Sequence, residues 1–206
     1  QQDEQFISLL NQIRENKASE ATLQALNQRY IPNFVPPKEG NYIRLTTHNA
    51  PAQYINEQQL AALPAQSFSF TAEIEGDFPE TSYPADFKLT LKPGAQVMFI
   101  KNDPQHRFYN GMIGEVIGVR TDEDGSKITV RSKDSGEEFD LEKMEWTNAK
   151  YTLNEKTKEI EETVEGKFMQ YPLRLAWAIT IHKSQGLTFE HAIIDASHSF
   201  THGQTY

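Results

Sequence analysis

The hydrophobic pattern opens on a helical period and then changes. Phe6, Leu9, Leu10 and Ile13 recur at i, i+3, i+4 and i+7, which predicts an amphipathic helix over 3–15. Ser19 is placed to cap a second helix carrying Leu23, Leu26 and Tyr30 on one side. The stretch from Ile31 to Asn41, with Pro32, Pro36, Pro37 and Gly40, reads as a linker. Beyond it Tyr42–Thr47 predicts a short strand, and Pro51 suits the first turn of a helix running to about Leu63, with Ile55 and Leu60 inward. Phe68, Phe70, Ala72 and Ile74 alternate, so 67–75 predicts one half-buried strand, as do Phe87, Leu89 and Leu91. Ala95 to Ile100 is continuously apolar, the pattern of a strand buried on both faces.

From Asn110-Gly111 the rhythm shortens. Met112–Arg120, Lys127–Arg131, Glu137–Leu141, Lys143–Thr147, Tyr151–Leu153 and Glu159–Val164 read as short strands separated by Gly/Asp turns, which predicts a small β-barrel. Gly166–Pro172 leaves that architecture. Leu173–Trp177 and His191–Ala196 are again core strands. The whole predicts an α/β domain interrupted by a β insert.

Composition modifies this picture in three ways. The 206 residues suffice for one large domain or two ordinary ones. Counted with glycine in place of tyrosine, about 38% are apolar, below the ~45–50% of typical domains, so the core is lean. The net charge of −9 argues against a free-standing nucleic-acid binder. Yet residues 121–165 hold fourteen acids and seven bases, and so carry seven of those nine charges. The remainder is nearly neutral, and the objection no longer applies to it. Absence of cysteine excludes disulfides, thiolate catalysis and Cys-ligated zinc. No apolar run approaches the ~20 residues of a membrane span. Gln1-Gln2-Asp3-Glu4 has no secretory h-region, so we expect a protein that is neither secreted nor membrane-bound.

Candidate chemistry gathers where apolar strands end. His182-Lys183-Ser184-Gln185-Gly186 follows an apolar segment and combines cationic, hydroxyl and amide donors with a glycine, a set suited to a phosphate. Thr46-Thr47-His48-Asn49 follows the first strand, and Lys101-Asn102 follows the buried one. Carboxyl ends of parallel strands are where α/β sheets collect ligands, so three such ends are placed to face one ligand. The plain alternative for each is a solvated loop or helix end. His198 and His202 have helical metal spacing but no evident third ligand, and no metal site is expected. No G-x-x-x-x-G-K-[ST] is present, because Gly166-Lys167 is followed by Phe168. Asp122-Glu123 sits in a turn, not after an apolar strand as a magnesium-binding acid would.

Taken in order, Arg44-Leu45-Thr46-Thr47-His48-Asn49, the run Leu91 to Asn102 with its Gly94-Ala95-Gln96-Val97-Met98, Asn110-Gly111, Leu175-Ala176-Trp177-Ala178 leading into His182–Gly186, and Gly203-Gln204-Thr205-Tyr206 resemble the second half of a superfamily 1 DNA helicase of the petite-integration-frequency and RecD-like group. The resemblance covers nearly the whole chain. It implies that residues 1–40 are the last helices of a first RecA-like domain plus linker. It makes 41–108 and 172–206 a second RecA-like domain of P-loop type, incomplete at its end, and 109–171 an inserted barrel of Src-homology-3 type. It implies ATP- and magnesium-driven 5′-to-3′ movement on single-stranded DNA in an intracellular protein serving repair, replication or recombination. By motif, Thr47, His48 and Asn49, with His182, Lys183 and Ser184, grip the DNA backbone, and Lys101, Asn102 and Asn110 lie near its path. Gln185, Gly186 and Gln204 couple that grip to the ATP cleft.

The family's phosphate loop, acidic magnesium motif and terminal arginine motif have no match here. We therefore expect a piece that neither holds nucleotide nor hydrolyses ATP without its missing N-terminal RecA-like partner. Its apolar face at Phe6, Leu9 and Leu10 is then open to self-association. The competing expectation, from another functional class, is a non-catalytic module whose acidic barrel recruits a protein partner.

Overall fold

The computed structural model describes residues 4–37, 40–122, 125–153 and 160–195. Both N-terminal helices form, α1 over Glu4–Arg14 and α2 over Glu20–Asn27. Ser19 caps α2 reciprocally: its hydroxyl accepts from the Thr22 N–H at 3.2 Å, and its own N–H donates to the Thr22 hydroxyl at 3.1 Å. Thr22 then donates to Gln12 Oε1 at 2.5 Å, tying α2 to α1. The hairpin buries no large apolar side chain completely, and Ile7, Ile13 and Leu23 stay exposed.

The first strand β1 (Tyr42–Thr46) leads into α3 (Asn49–Ala62). Next come β2 (Phe68–Thr71), β3 (Glu73–Gly76), β4 (Lys88–Leu91) and β5 (Gln96–Phe99). The acidic segment supplies β6 (Ile113–Asp122), β7 (Gly125–Ser132), β8 (Glu138–Leu141), β9 (Met144–Leu153) and β10 (Ile160–Gln170). The chain closes its described part with β11 (Leu173–Leu175), β12 (Ala178–Thr180), the short α4 (Ile181–Ser184) and β13 (His191–Asp195).

Four sheets result. A parallel sheet has the order β12-β1-β13, and an antiparallel one the order β11-β5-β6-β7-β8. The strands β3-β10-β9 form a third sheet, and β2-β4 a hairpin-like fourth. The mixed α/β class is as expected. The inserted barrel is not seen as a closed barrel among the described residues: its strands divide between the second and third sheets. The physical reason lies in β5. Its apolar edge needs partners on both sides, so β6 continues the sheet that β11 and β5 begin. Hydrogen bonding thus crosses residue 109 without a break.

Two more expectations change. The single strand over 67–75 breaks at buried Ala72, whose N–H turns to the Phe87 carbonyl at 2.7 Å; β2 then pairs β4, and β3 pairs β10. Strands expected to be separate merge into long β9 and β10, joined through a bulge between Val164 and Gly166. There the Asp77 carbonyl lies 2.2 Å from where a Gly166 Cβ would sit, so only glycine fits. No helix among the described residues is long and apolar enough to cross a membrane.

The core has two main clusters, and β5 borders both. Val97 and Phe99 pack with Leu89, Leu91, Phe108, Val116, Val130 and Leu173, while Met98 packs with Ile43, Ala176 and Ile179. Gln170, fully buried, closes the seam at the end of β10. Its Nε2 lies 3.0, 3.1 and 3.3 Å from the Phe70, Asp86 and Phe87 carbonyls, and its Oε1 accepts from the Tyr171 N–H at 3.0 Å. The loop after β5 is pinned by Asp103, also buried, which accepts from Arg107 Nε at 2.6 Å and from the Arg107 N–H at 3.1 Å.

Gln170→Leu strands several buried carbonyls at once and should lower stability by about 2–4 kcal/mol in chemical denaturation. The Arg107 hydrogen bond holds the Asp103 carboxyl below the ordinary aspartate range, against the opposing push of burial. The stability it contributes is therefore complete above the unfolded-state value and is lost as pH falls through the depressed one. Because Arg107 is partly exposed, Asp103→Asn should cost only about 1–2 kcal/mol at neutral pH. The gap to the parent protein should close on acidification through the depressed value, as measured by denaturation across pH.

Candidate nucleic-acid interface

Strands β1 and β12 are parallel neighbours with Thr46 opposite Thr180, so both release their polar segments at the same sheet end. The Thr46 hydroxyl bonds to the His48 carbonyl at 2.9 Å and lies 3.4 Å from the Ile179 carbonyl, stapling the two strand ends. Thr47 is buried, and its hydroxyl sits 2.8 Å from His48 Nδ1, orienting the exposed imidazole. Asn49 opens α3 and is exposed. On the other strand the Thr180 hydroxyl caps α4 by accepting from the Lys183 N–H at 3.4 Å. Ser184 donates its hydroxyl back to the Ile181 carbonyl at 2.7 Å, which leaves that oxygen as an acceptor rather than a free donor. His182, Lys183, Gln185 and Gly186 are exposed. Gly186 has φ +79°, with open space where a Cβ would stand, so the turn itself demands glycine there.

The third predicted cluster separates. The Lys101 ammonium lies 4.7 Å over the Trp146 ring and donates to the Glu145 carbonyl, so it is committed to β9. Burial lowers its pKa, with Glu145 opposing. Asn102 Oδ1 accepts from the Asn110 N–H at 2.8 Å, closing the loop. That loop reaches the α4 segment through Gly111, whose added Cβ would lie 2.6 Å from Leu187 Cδ2. Asn110 is therefore near the pentad's end, and Lys101 faces away toward β9. Gln204, with His198 and His202, lies outside the described residues. No group of three or more metal-ligating side chains gathers among the described residues.

The sequence reading missed a groove. A cavity of about 790 Å³ opens between α3, the strand ends β11–β12 and the segment 86–92. Its walls carry four cations, Lys88, Lys92, Arg174 and Lys183, against two carboxylates, Glu57 and Asp86. In a chain of net charge −9 this is a local reversal of sign. One wall is fixed by Asn56, whose carboxamide accepts from the Ala178 N–H at 2.9 Å and donates to its carbonyl at 2.8 Å, completing the outer edge of β12. Arg174 Nη2 donates to the Pro84 carbonyl at 3.1 Å. Burial lowers the Arg174 pKa. Burial chiefly, then the neighbouring Arg174 charge, lowers that of Lys183, with Asp86 opposing. The available signal was Arg174 itself, a cation inside the otherwise apolar run Leu173–Ile179.

No family model matches the chain. The ATP-dependent DNA helicase Pif1 of Psychrobacter sp. strain PRwf-1 is 36% identical over 244 residues, covering 97% of this chain and 36% of the relative. The mouse ATP-dependent DNA helicase PIF1 is 34% identical, covering 100% and 30%. Unliganded Pif1 from Bacteroides sp. matches the fold with a TM-score of 0.87 at 38% identity, over 100% of this chain and 46% of that one. Bacteroides Pif1 bound to single-stranded DNA, at the same identity and coverage, gives 0.71. The chain spans between about a third and a half of the length of these relatives. With sequence and fold agreeing along its whole length, the chain belongs to the Pif1 family of DNA helicases and corresponds to a part of such a protein.

Proposed function

We propose that this chain is the C-terminal portion of an ATP-dependent 5′-to-3′ DNA helicase, supplying the single-stranded DNA grip and one wall of the ATP cleft. The observation that carries the reading is the parallel pairing of β1 and β12, which sets His48 and the His182–Gly186 turn at one sheet end beside a cationic groove. His48, Asn49, His182 and Lys183 hold sugar–phosphate. Thr47 orients His48, and Ser184 shapes the turn. Backbone contacts of this kind accept any sequence, as a motor requires. Asn102 and Asn110 support the neighbouring loop, and Lys101 positions β9. Gln185 and Gly186, with Gln204, relay movement to the cleft.

In this reading β1, β12, β13, α3 and α4 belong to the second RecA-like lobe, within 41–108 and 172–206. Residues 109–171 are the Src-homology-3-type insert, hydrogen-bonded directly into the lobe through β5 and β6. Residues 1–40 end a first lobe, and the uncovered stripe of α1 and α2 supports that assignment. In isolation the same stripe invites self-association. The residues present do not fit a complete ATP–magnesium site: the sequence has no phosphate loop and no acid after an apolar strand, so no hydrolytic step is assigned to them. Nucleotide and metal belong to the partner lobe, and the chain alone hydrolyses no ATP.

The test uses the full-length polypeptide carrying this segment. It should unwind a 5′-tailed duplex with ATP and leave a 3′-tailed one intact; the reverse preference overturns the polarity. Lys183→Ala should weaken oligo-dT binding and reduce the slope of log affinity against log salt by about one. An unchanged affinity and slope would remove Lys183 from the grip.

A further inference from the structure

Phe87 is 45% exposed, and the residue lines the cationic groove together with Lys88, Arg174 and Lys183. An exposed phenylalanine is unremarkable alone. This one is held. Tyr83 stacks on it at 6.0 Å with a 20° interplanar angle, and Tyr83 is itself packed on Phe168 at 4.9 Å. The Phe87 carbonyl accepts from the Ala72 N–H at 2.7 Å and lies 3.3 Å from the buried Gln170 amide, which also donates to the Asp86 carbonyl. The aromatic is thus fixed in place on a wall whose charge is net positive.

We propose that Phe87 is a base-stacking platform for single-stranded DNA in this groove, with Arg174 and Lys88 on the adjoining sugar–phosphate. The proposal rests on the DNA-grip reading and deepens it by adding base contact to backbone contact. Charge complementarity selects a polyanion, and a partly exposed aromatic side chain selects one with unpaired π-surfaces. Duplex bases are already stacked on each other and present no face to it. Stacking is tolerant of sequence, so the platform suits a translocating strand. A pre-positioned ring also loses little entropy when the base arrives.

The experiment measures anisotropy of labelled oligo-dT, and of the same backbone with abasic sites throughout, on the full-length polypeptide. Phe87→Ala should weaken oligo-dT binding about tenfold, the scale of one lost stacking contact, and leave the salt slope unchanged. Phe87→Trp should restore wild-type affinity. On the abasic strand wild type and Phe87→Ala should bind alike. Equal affinity of wild type and Phe87→Ala for oligo-dT overturns the proposal, as does an equal loss on the abasic strand. Failure of the underlying reading looks different: wild type does not bind oligo-dT, or Lys183→Ala changes neither affinity nor slope.

Discussion

Strand β5 is the constraint on which the other elements depend. All four of its residues are buried. Odd and even positions face different clusters, Val97 and Phe99 one way and Met98 the other. A strand that is apolar on both faces must find cover on both and pairing on both edges. Here β11 and β6 supply the edges, and the parallel-sheet residues Ile43 and Ile179 supply part of the second face. The two halves of the molecule are therefore not independent. Moving β6 displaces β5, and β5 supports the sheet whose ends form the candidate interface.

Buried and half-buried carboxamides make the same connection in polar form. Gln96 donates to the Tyr42 carbonyl at 3.1 Å and to the Ala176 carbonyl at 2.9 Å, joining the start of β1 to the chain leaving β11. Asn56 completes the edge of β12, and Gln170 gathers the backbone beside the groove. Gln96 and Gln170 sit where strands of different sheets meet, and Asn56 of α3 sits at the free edge of β12; at such places regular ladders cannot satisfy every backbone group. A neutral amide performs this bridging without the desolvation cost of a buried charge. The result is a groove whose walls are fixed by the fold itself.

Much of this was legible in the sequence, and the exceptions have physical causes. The α1–α2 hairpin, β1, α3 and β5 follow from local periodicity and capping, with Ser19 at its predicted place. The two polar strand ends at Thr46–Asn49 and His182–Gly186 were visible because each follows an apolar run, and parallel pairing brings them together. Strand partnership was not visible. Alternation over 67–75 says that residues face a core, not which sheet claims them, and Ala72 is where the claim changes. Lys101 read as a strand-end cation, whereas Trp146 and the Glu145 carbonyl, far away in sequence, capture it. The groove escaped for the same reason: its cations come from three segments far apart in sequence, 88–92, Arg174 and Lys183.

On the proposed DNA-grip reading, the acidic segment is compatible with the groove once its charges are placed. Arg131 meets Glu138 at 2.7 Å across β7 and β8, Lys127 meets Glu142 at 3.3 Å, and Lys133 meets Glu115 at 3.5 Å. Arg120 reaches Asp140, which also accepts from the Thr129 hydroxyl at 2.7 Å. These pairs are largely solvent-facing, and each is worth little to stability, about 0–1 kcal/mol. Their effect is on the field. They spend the segment's own bases locally and leave its surplus acids to repel a polyanion from the outer strands. The groove offers the opposite sign, with Lys183 and Arg174 sharing the nearby carboxylate of Asp86 and so left with a surplus of positive charge. Repulsion from one surface and attraction into another together give a strand a direction of approach, and net charge of the whole chain says nothing about that choice.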